Sequence, residues 1–135
     1  MPFYQISPNH LPEVWPVAAP LLQKAIDLDP SEITIEQVEY AIRTGRTYLV
    51  VWDEPGEGIT GAAAVDFIDY PRERIGHGNL MGGKGIMRPH VIEEMYKWMK
   101  LHGATKAQVW ARGSLVNMYE KFGLEVTHQV MRIKL

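Results

Sequence analysis

The sequence predicts a single mixed α/β domain over residues 1–135, with the element order α-α-β-β-β-α-β-α-β. Three observations carry that prediction. The chain has 135 residues, a length that one hydrophobic core serves. Its 46% apolar content is that of a globular chain. Stretches of helical and strand periodicity alternate along it, divided by Gly and Pro without a linker, repeat or low-complexity tract.

The first helix is read from Leu11 to about Asp29, where Val14, Ala18, Leu21, Leu22, Ala25 and Ile26 recur at helical spacing. Pro12 suits a first turn, whereas Pro16 and Pro20 are expected to delay or kink the helix. Thr34 and Gln37 form a T-x-x-Q capping box for a second helix, whose stripe is Ile35, Val38, Ala41 and Ile42 and whose stop is Gly45. Thr47–Trp52 is rich in β-branched and aromatic residues, and Asp53–Gly58 is a turn. Ile59 to about Asp69 and Arg74–Met81 complete an antiparallel meander. The small run Gly61–Ala64 permits close approach of another segment. Gly82–Gly85 then leads into a helix near Pro89, with Ile92, Met95, Trp98 and Met99 on one face, that ends at Gly103. A strand at Lys106–Ala111, a short helix at Ser114–Phe122 capped by Ser114, and a strand at Leu124–Leu135 close the chain. The right-handed crossover makes the third and fourth strands parallel neighbours in a mixed sheet.

Fourteen Lys and Arg against sixteen Asp and Glu leave a net charge of −2. That balance argues against nucleic acid as a partner, and no basic tract steers the chain to an anionic membrane. With no cysteine there is no disulfide and no thiolate chemistry. The five histidines, at 10, 77, 90, 102 and 128, show no metal-binding spacing, and no serine sits in a G-x-S-x-G setting. Without a signal-peptide pattern or a span of ~20 apolar residues, a soluble cytoplasmic protein is expected.

The cluster Gly82-Gly83-Lys84-Gly85 is the first feature with chemical promise. A glycine-rich turn between strand and helix exposes backbone N–H groups that converge on an anion, and Lys84 adds a charge. It is neither a Walker A loop nor the G-x-G-x-x-G dinucleotide fingerprint. The competing reading is a βα turn that needs positive φ.

Together with the element order and the ending Tyr119-Glu120-Lys121-Phe122-Gly123-Leu124-Glu125, this turn resembles the GNAT superfamily of N-acetyltransferases. The resemblance is most specific from Arg74 onward. The stretch Leu80-Met81-Gly82-Gly83-Lys84-Gly85, with Gly103-Ala104 and Ala111-Arg112-Gly113, is most similar to the small GNAT-like proteins of tailed bacteriophages. The resemblance implies a splayed parallel strand pair that holds acetyl-CoA as cosubstrate. Leu80, Met81 and Gly82 would lie along the pantetheine and thioester, and Gly83, Lys84, Gly85 and Ile86 around the pyrophosphate. Two departures stand out: Ile86–Pro89 follows where the family has a last small residue, and Arg112 stands where it commonly has Asn.

Acetyl transfer needs an acid for the departing thiolate and a base for the amine. Tyr119 is the candidate acid; its plain alternative is a core tyrosine beside Phe122. His77 and Asp66 are the candidate bases, with Asp69, Glu93 and Glu94 behind them, each also readable as an ordinary polar residue. Alternation turns Asp66 to the same side as Ala64. Arg112, at a strand end beside the expected cleft, is a candidate for a phosphate or carboxylate. The expected function is an acetyl-CoA-dependent N-acetyltransferase acting on a small-molecule or protein amine. The alternative is a catalytically inactive GNAT-like phage protein with a structural role among other phage proteins. A homodimer stays open, and for a phage chain the expected location is the host cytoplasm or the virion.

Overall fold

The computed structural model describes residues 2–28 and 32–135. Five strands form one sheet in the order β1 (Phe3–Ile6), β2 (Tyr48–Glu54), β3 (Gly58–Tyr70), β4 (Glu73–Gly82) and β5 (Lys106–Val109). Neighbouring strands are antiparallel except β4 and β5, which are parallel as the crossover through α3 (Pro89–Leu101) requires. α1 (Leu11–Ile26) and α2 (Ile35–Arg43) cover one face of the sheet and α3 the other.

Strand alternation divides the core. Leu49, Val51, Ala62, Ala64 and Leu80 pack with Ala18, Leu22, Val38 and Ile42 beneath the first two helices. Val50, Trp52, Ala63 and Val65 pack with Val91, Met95, Trp98 and Met99 beneath α3. A bulge opposite Ala64/Val65 leaves Asn79 as the extra residue of β4.

Neither Pro16 nor Pro20 interrupts α1, which runs for 16 residues. Pro12, Pro16 and Pro20 lie four apart on the exposed stripe, so water can take the carbonyls their missing N–H groups leave free. Asp29, the expected end of this helix, lies outside the described residues. The α2 capping box is present: Gln37 N–H donates to Thr34 Oγ1 (3.2 Å) and Thr34 N–H to Gln37 Oε1 (2.9 Å).

Five expectations are corrected. β1 was not anticipated: four residues carry too little periodicity to signal a strand, and pairing with β2 creates it. β5 ends at Val109 rather than Ala111. The expected helix at Ser114–Phe122 is a 3₁₀ turn, Gly113–Leu115, followed by the five-residue α4 (Val116–Glu120). Arg112, not Ser114, occupies the cap position, and no side chain caps that turn. Most consequentially, Leu124–Leu135 is not a strand. Met131 and Ile133 are 90% and 83% exposed, so the alternation exists without a sheet to face. A period of two produces a strand only where a partner edge lies alongside.

Candidate functional site

Packing accounts for most of the glycine turn. A Cβ on Gly82 would lie 1.9 Å from the Leu21 carbonyl oxygen of α1. Gly83 has φ +91°, and a Cβ there would lie 2.2 Å from Thr60 O. A Cβ on Gly85 would lie 2.2 Å from Thr60 Oγ1, and the Gly85 N–H donates to Thr60 O at 3.1 Å. The turn is thus pressed between α1 and β3. Ile86 is buried in the α3-side core, which pins the end of the turn, while Lys84 is exposed. Leu80 and Met81 turn to opposite faces of the sheet.

The approach to α3 holds a cluster that sequence reasoning missed. Arg88, at the helix cap, donates to Glu54 Oε2 at 3.3 Å, and the Trp52 indole N–H donates to the same oxygen. His90 sets its ring against Trp52 at a centroid distance of 5.3 Å. Trp52 and Glu54 are two apart in one strand and so share a face, which is the signal available in the sequence.

The pairing of the two parallel strands ends where β5 ends. Their ladder runs from Ile75–Lys106 to Gly78–Val109 and stops, whereas β4 continues to Gly82. The β5-facing edge of Asn79–Gly82 therefore has no strand partner in the sheet. A pocket at this end of the ladder is lined on the α3 side by Met81, Ile92, Met95, Val109, Tyr119 and Phe122, among others. Tyr119 is half-buried there, and burial pushes its phenol above the usual value of 10.0, so it holds its proton at neutral pH.

On the opposite face a polar row runs from the residue before β2 across β3, β4 and β5, one rung before the β4–β5 ladder ends. Thr47, just before β2, donates from Oγ1 to Asp66 Oδ1 at 2.6 Å. Asp66 pairs across the sheet with His77, and His77 pairs with Gln108 of β5. The Gln108 side-chain amide lies 3.0 Å from His77 Nδ1, and the Trp110 ring meets the imidazole edge-on at 5.2 Å. Burial lowers the His77 pKa below 6.5, and the Asp66 carboxylate partly offsets this, so the ring is neutral at pH 7.

The structure therefore brings together His77 and Asp66, and sets Tyr119 on the other side of the sheet at the same ladder end. Gln108 and Thr47 join them, both missed in the sequence because neither belongs to a motif. Asp69 pairs with Arg74 at 3.3 Å, Glu94 pairs with Lys97 at 3.5 Å, and Glu93 is exposed. These three carboxylates lie outside the polar row. Arg112 donates to the Leu28 carbonyl beyond α1, tying the segment after β5 to the end of that helix. Trp110 is 64% exposed, unlike the core residues Trp52 and Trp98.

Solved structures share this architecture. A probable acetyltransferase aligns over 100% of this chain and 97% of its own, with TM-score 0.71 and 15% identity. An aminoglycoside acetyltransferase from an uncultured soil metagenomic sample, in complex with sisomicin, covers 98% and 93% with TM-score 0.71 and 12% identity. The glucosamine-6-phosphate N-acetyltransferase of Arabidopsis thaliana covers 98% and 96% with TM-score 0.65 and 15% identity. The fold is GNAT-like. No family model matches the sequence, and no curated protein matches it. At these identities the likeness establishes the fold, and function has to be argued from the site.

Proposed function

We propose that this protein transfers an acetyl group from acetyl-CoA to an amine. The observation that carries the reading is the end of the β4–β5 ladder after Gly78 and Val109, which leaves the last residues of β4 unpaired, with a buried neutral imidazole on one face and a protonated phenol on the other. The unpaired edge of Leu80–Gly82 suits an extended amide-bearing arm, which would hydrogen-bond there as an added strand does. Gly83–Ile86 and Lys84 would meet its phosphates. When bound, acetyl-CoA supplies an activated acyl thioester.

The rest is done by the chain's own groups. An amine is mostly protonated at neutral pH and must lose a proton before it attacks. His77 takes that proton, and the Asp66 carboxylate stabilises the resulting imidazolium. The backbone N–H groups of the Leu80–Gly82 edge polarise the acyl carbonyl. Tyr119 holds the proton that a departing thiolate requires.

A second reading is a non-catalytic module of the phage-protein kind. It is favoured by the loop itself: Gly85 already spends its N–H on Thr60, Pro89 has none, and Arg88 is engaged by the Glu54 carboxylate. Calorimetric titration with acetyl-CoA separates the two. Saturable one-to-one binding supports the transferase, and no heat at millimolar ligand overturns it.

A further inference from the structure

A neutral imidazole accepts a proton only at the ring nitrogen that carries the lone pair. In His77 the two nitrogens are not equivalent. Nδ1 is engaged by Gln108 at 3.0 Å, so Nε2 is the atom left for any other partner. The amide nitrogen of Gln108 is placed toward Nδ1, but a half-turn of the terminal group puts the carbonyl oxygen in the same spot with the same shape. The two orientations have opposite consequences. An amide NH₂ that donates to a bare Nδ1 leaves the ring proton on Nε2, where it blocks proton uptake. A carbonyl that accepts from Nδ1–H leaves the lone pair on Nε2.

The surroundings favour the second arrangement once the ring has to take up a proton. An imidazolium donates from both nitrogens, so a carbonyl at Nδ1 stabilises it and an NH₂ group opposes it. Asp66, from β3, is the charge that acts on the ring, and its sign also favours the imidazolium. From the β5 side the ring meets Gln108 and Trp110, both neutral. Thr47 fixes the Asp66 carboxylate by a 2.6 Å hydrogen bond, which keeps that charge in the row.

We propose that Gln108 is a positioning residue for His77: its side-chain carbonyl accepts Nδ1–H and so holds Nε2 bare to receive the proton of the acceptor amine. This rests on His77 being the base in the reading above. In the step itself the amine proton moves to Nε2, the amine nitrogen keeps the electron pair with which it attacks, and the Nδ1–H bond to Gln108 persists. The imidazolium later returns its proton to water.

Long-range ¹H–¹⁵N correlation NMR of the uniformly ¹⁵N-labelled protein above pH 7 reads the tautomer directly. His77→Gln identifies the His77 signal among the five histidines. The expected result is a protonated Nδ1 and a bare Nε2 in the parent. In Gln108→Glu, a carboxylate beside the ring should raise the His77 titration by about one unit or more. The low-pH limb of kcat/KM should move with it. In Gln108→Met the Nδ1–H tautomer should be lost. An Nε2–H tautomer in the parent overturns the proposal, and so does an unmoved titration in Gln108→Glu. Beyond the His77→Gln assignment the parent measurement needs no variant, and the tautomer is read whether or not acetyl transfer is found. Failure of this inference is therefore distinct from failure of the transferase reading.

Discussion

At the scale of single residues, Tyr119 and His77 are each perturbed by burial, and the two perturbations have different consequences. Tyr119 stays protonated, so its hydroxyl is available as an acid across the physiological range. Tyr119→Phe keeps the ring in the pocket and removes only that proton. The expected outcome is a loss in kcat of roughly 10²-fold with little change in stability. Thiol release from acetyl-CoA with a panel of amines, parent against variant, measures it, and undiminished turnover in the variant would remove the role. His77 also makes a prediction that needs no activity. Its folded pKa lies below the ordinary 6.5, so the unfolded chain binds its proton first as pH falls. The associated stability is fully present above about pH 6.5 and is lost as pH falls toward the folded pKa. Carboxylates titrate lower, near pH 4, so the window is separable. Urea midpoints between about pH 7.5 and 5 should decline in the parent and flatten in His77→Gln. Parallel curves would show that the imidazole is not held neutral by burial.

At the scale of elements, the glycine turn shows how a motif can be legible and still be misread in part. Its glycines were visible in the sequence, and the structure gives them packing duties against Leu21 and Thr60 that no local pattern could reveal. Because the Leu21 carbonyl belongs to helix backbone and cannot step aside, Gly82→Ala should cost about 1–3 kcal/mol, readable as a shift in denaturant midpoint. The same crowding makes Gly83→Asp a poor probe of phosphate binding, since strain and charge would act together. Lys84→Glu reverses the charge at an exposed position without strain. It should weaken acetyl-CoA binding about fivefold or more, given ~1 kcal/mol for one screened charge pair. Unchanged affinity in calorimetry would show that the turn does not meet the phosphates. The meander, the α2 capping box and the parallel pair were all legible, because each rests on local periodicity or on crossover handedness. The polar row was not. Asp66 and His77 were singled out separately, but their juxtaposition depends on a register shifted by the bulge at Asn79, and Gln108 enters only through the parallel ladder. Helix α1 departs from expectation for a different reason: its prolines fall on the one stripe where missing hydrogen bonds are replaced by water.

At the scale of the whole molecule, stability comes from two cores clamped on either side of the sheet, and the segment after α4 contributes to neither beyond its first residues. Phe122 and Leu124 line the pocket, and Leu124 N–H donates to Tyr119 O at 3.3 Å. From Glu125 onward no strand or helix forms, and the large apolar side chains Val126, Val130, Met131, Ile133 and Leu135 are exposed. Arg132 forms an ion pair with Glu32 at 2.5 Å between partly exposed side chains, a contact worth ~0–1 kcal/mol. Shortening the chain after Leu124 should therefore leave both cores intact and lower stability by under about 1 kcal/mol, a thermal shift of roughly 4 °C or less. It should also leave the His77 titration unchanged, since none of the groups in the polar row lies beyond Gln108 and Trp110. Native-state hydrogen exchange on the full chain gives the complementary measurement: amides of residues 125–135 should exchange at nearly unprotected rates while those of β3 and β4 persist. A stability loss above about 3 kcal/mol on truncation, or protected amides in an alternating pattern along 125–135, would mean that the segment pairs in solution. The strand read from its alternation would then be restored, with the free outer edge of β5 as a place for it to add.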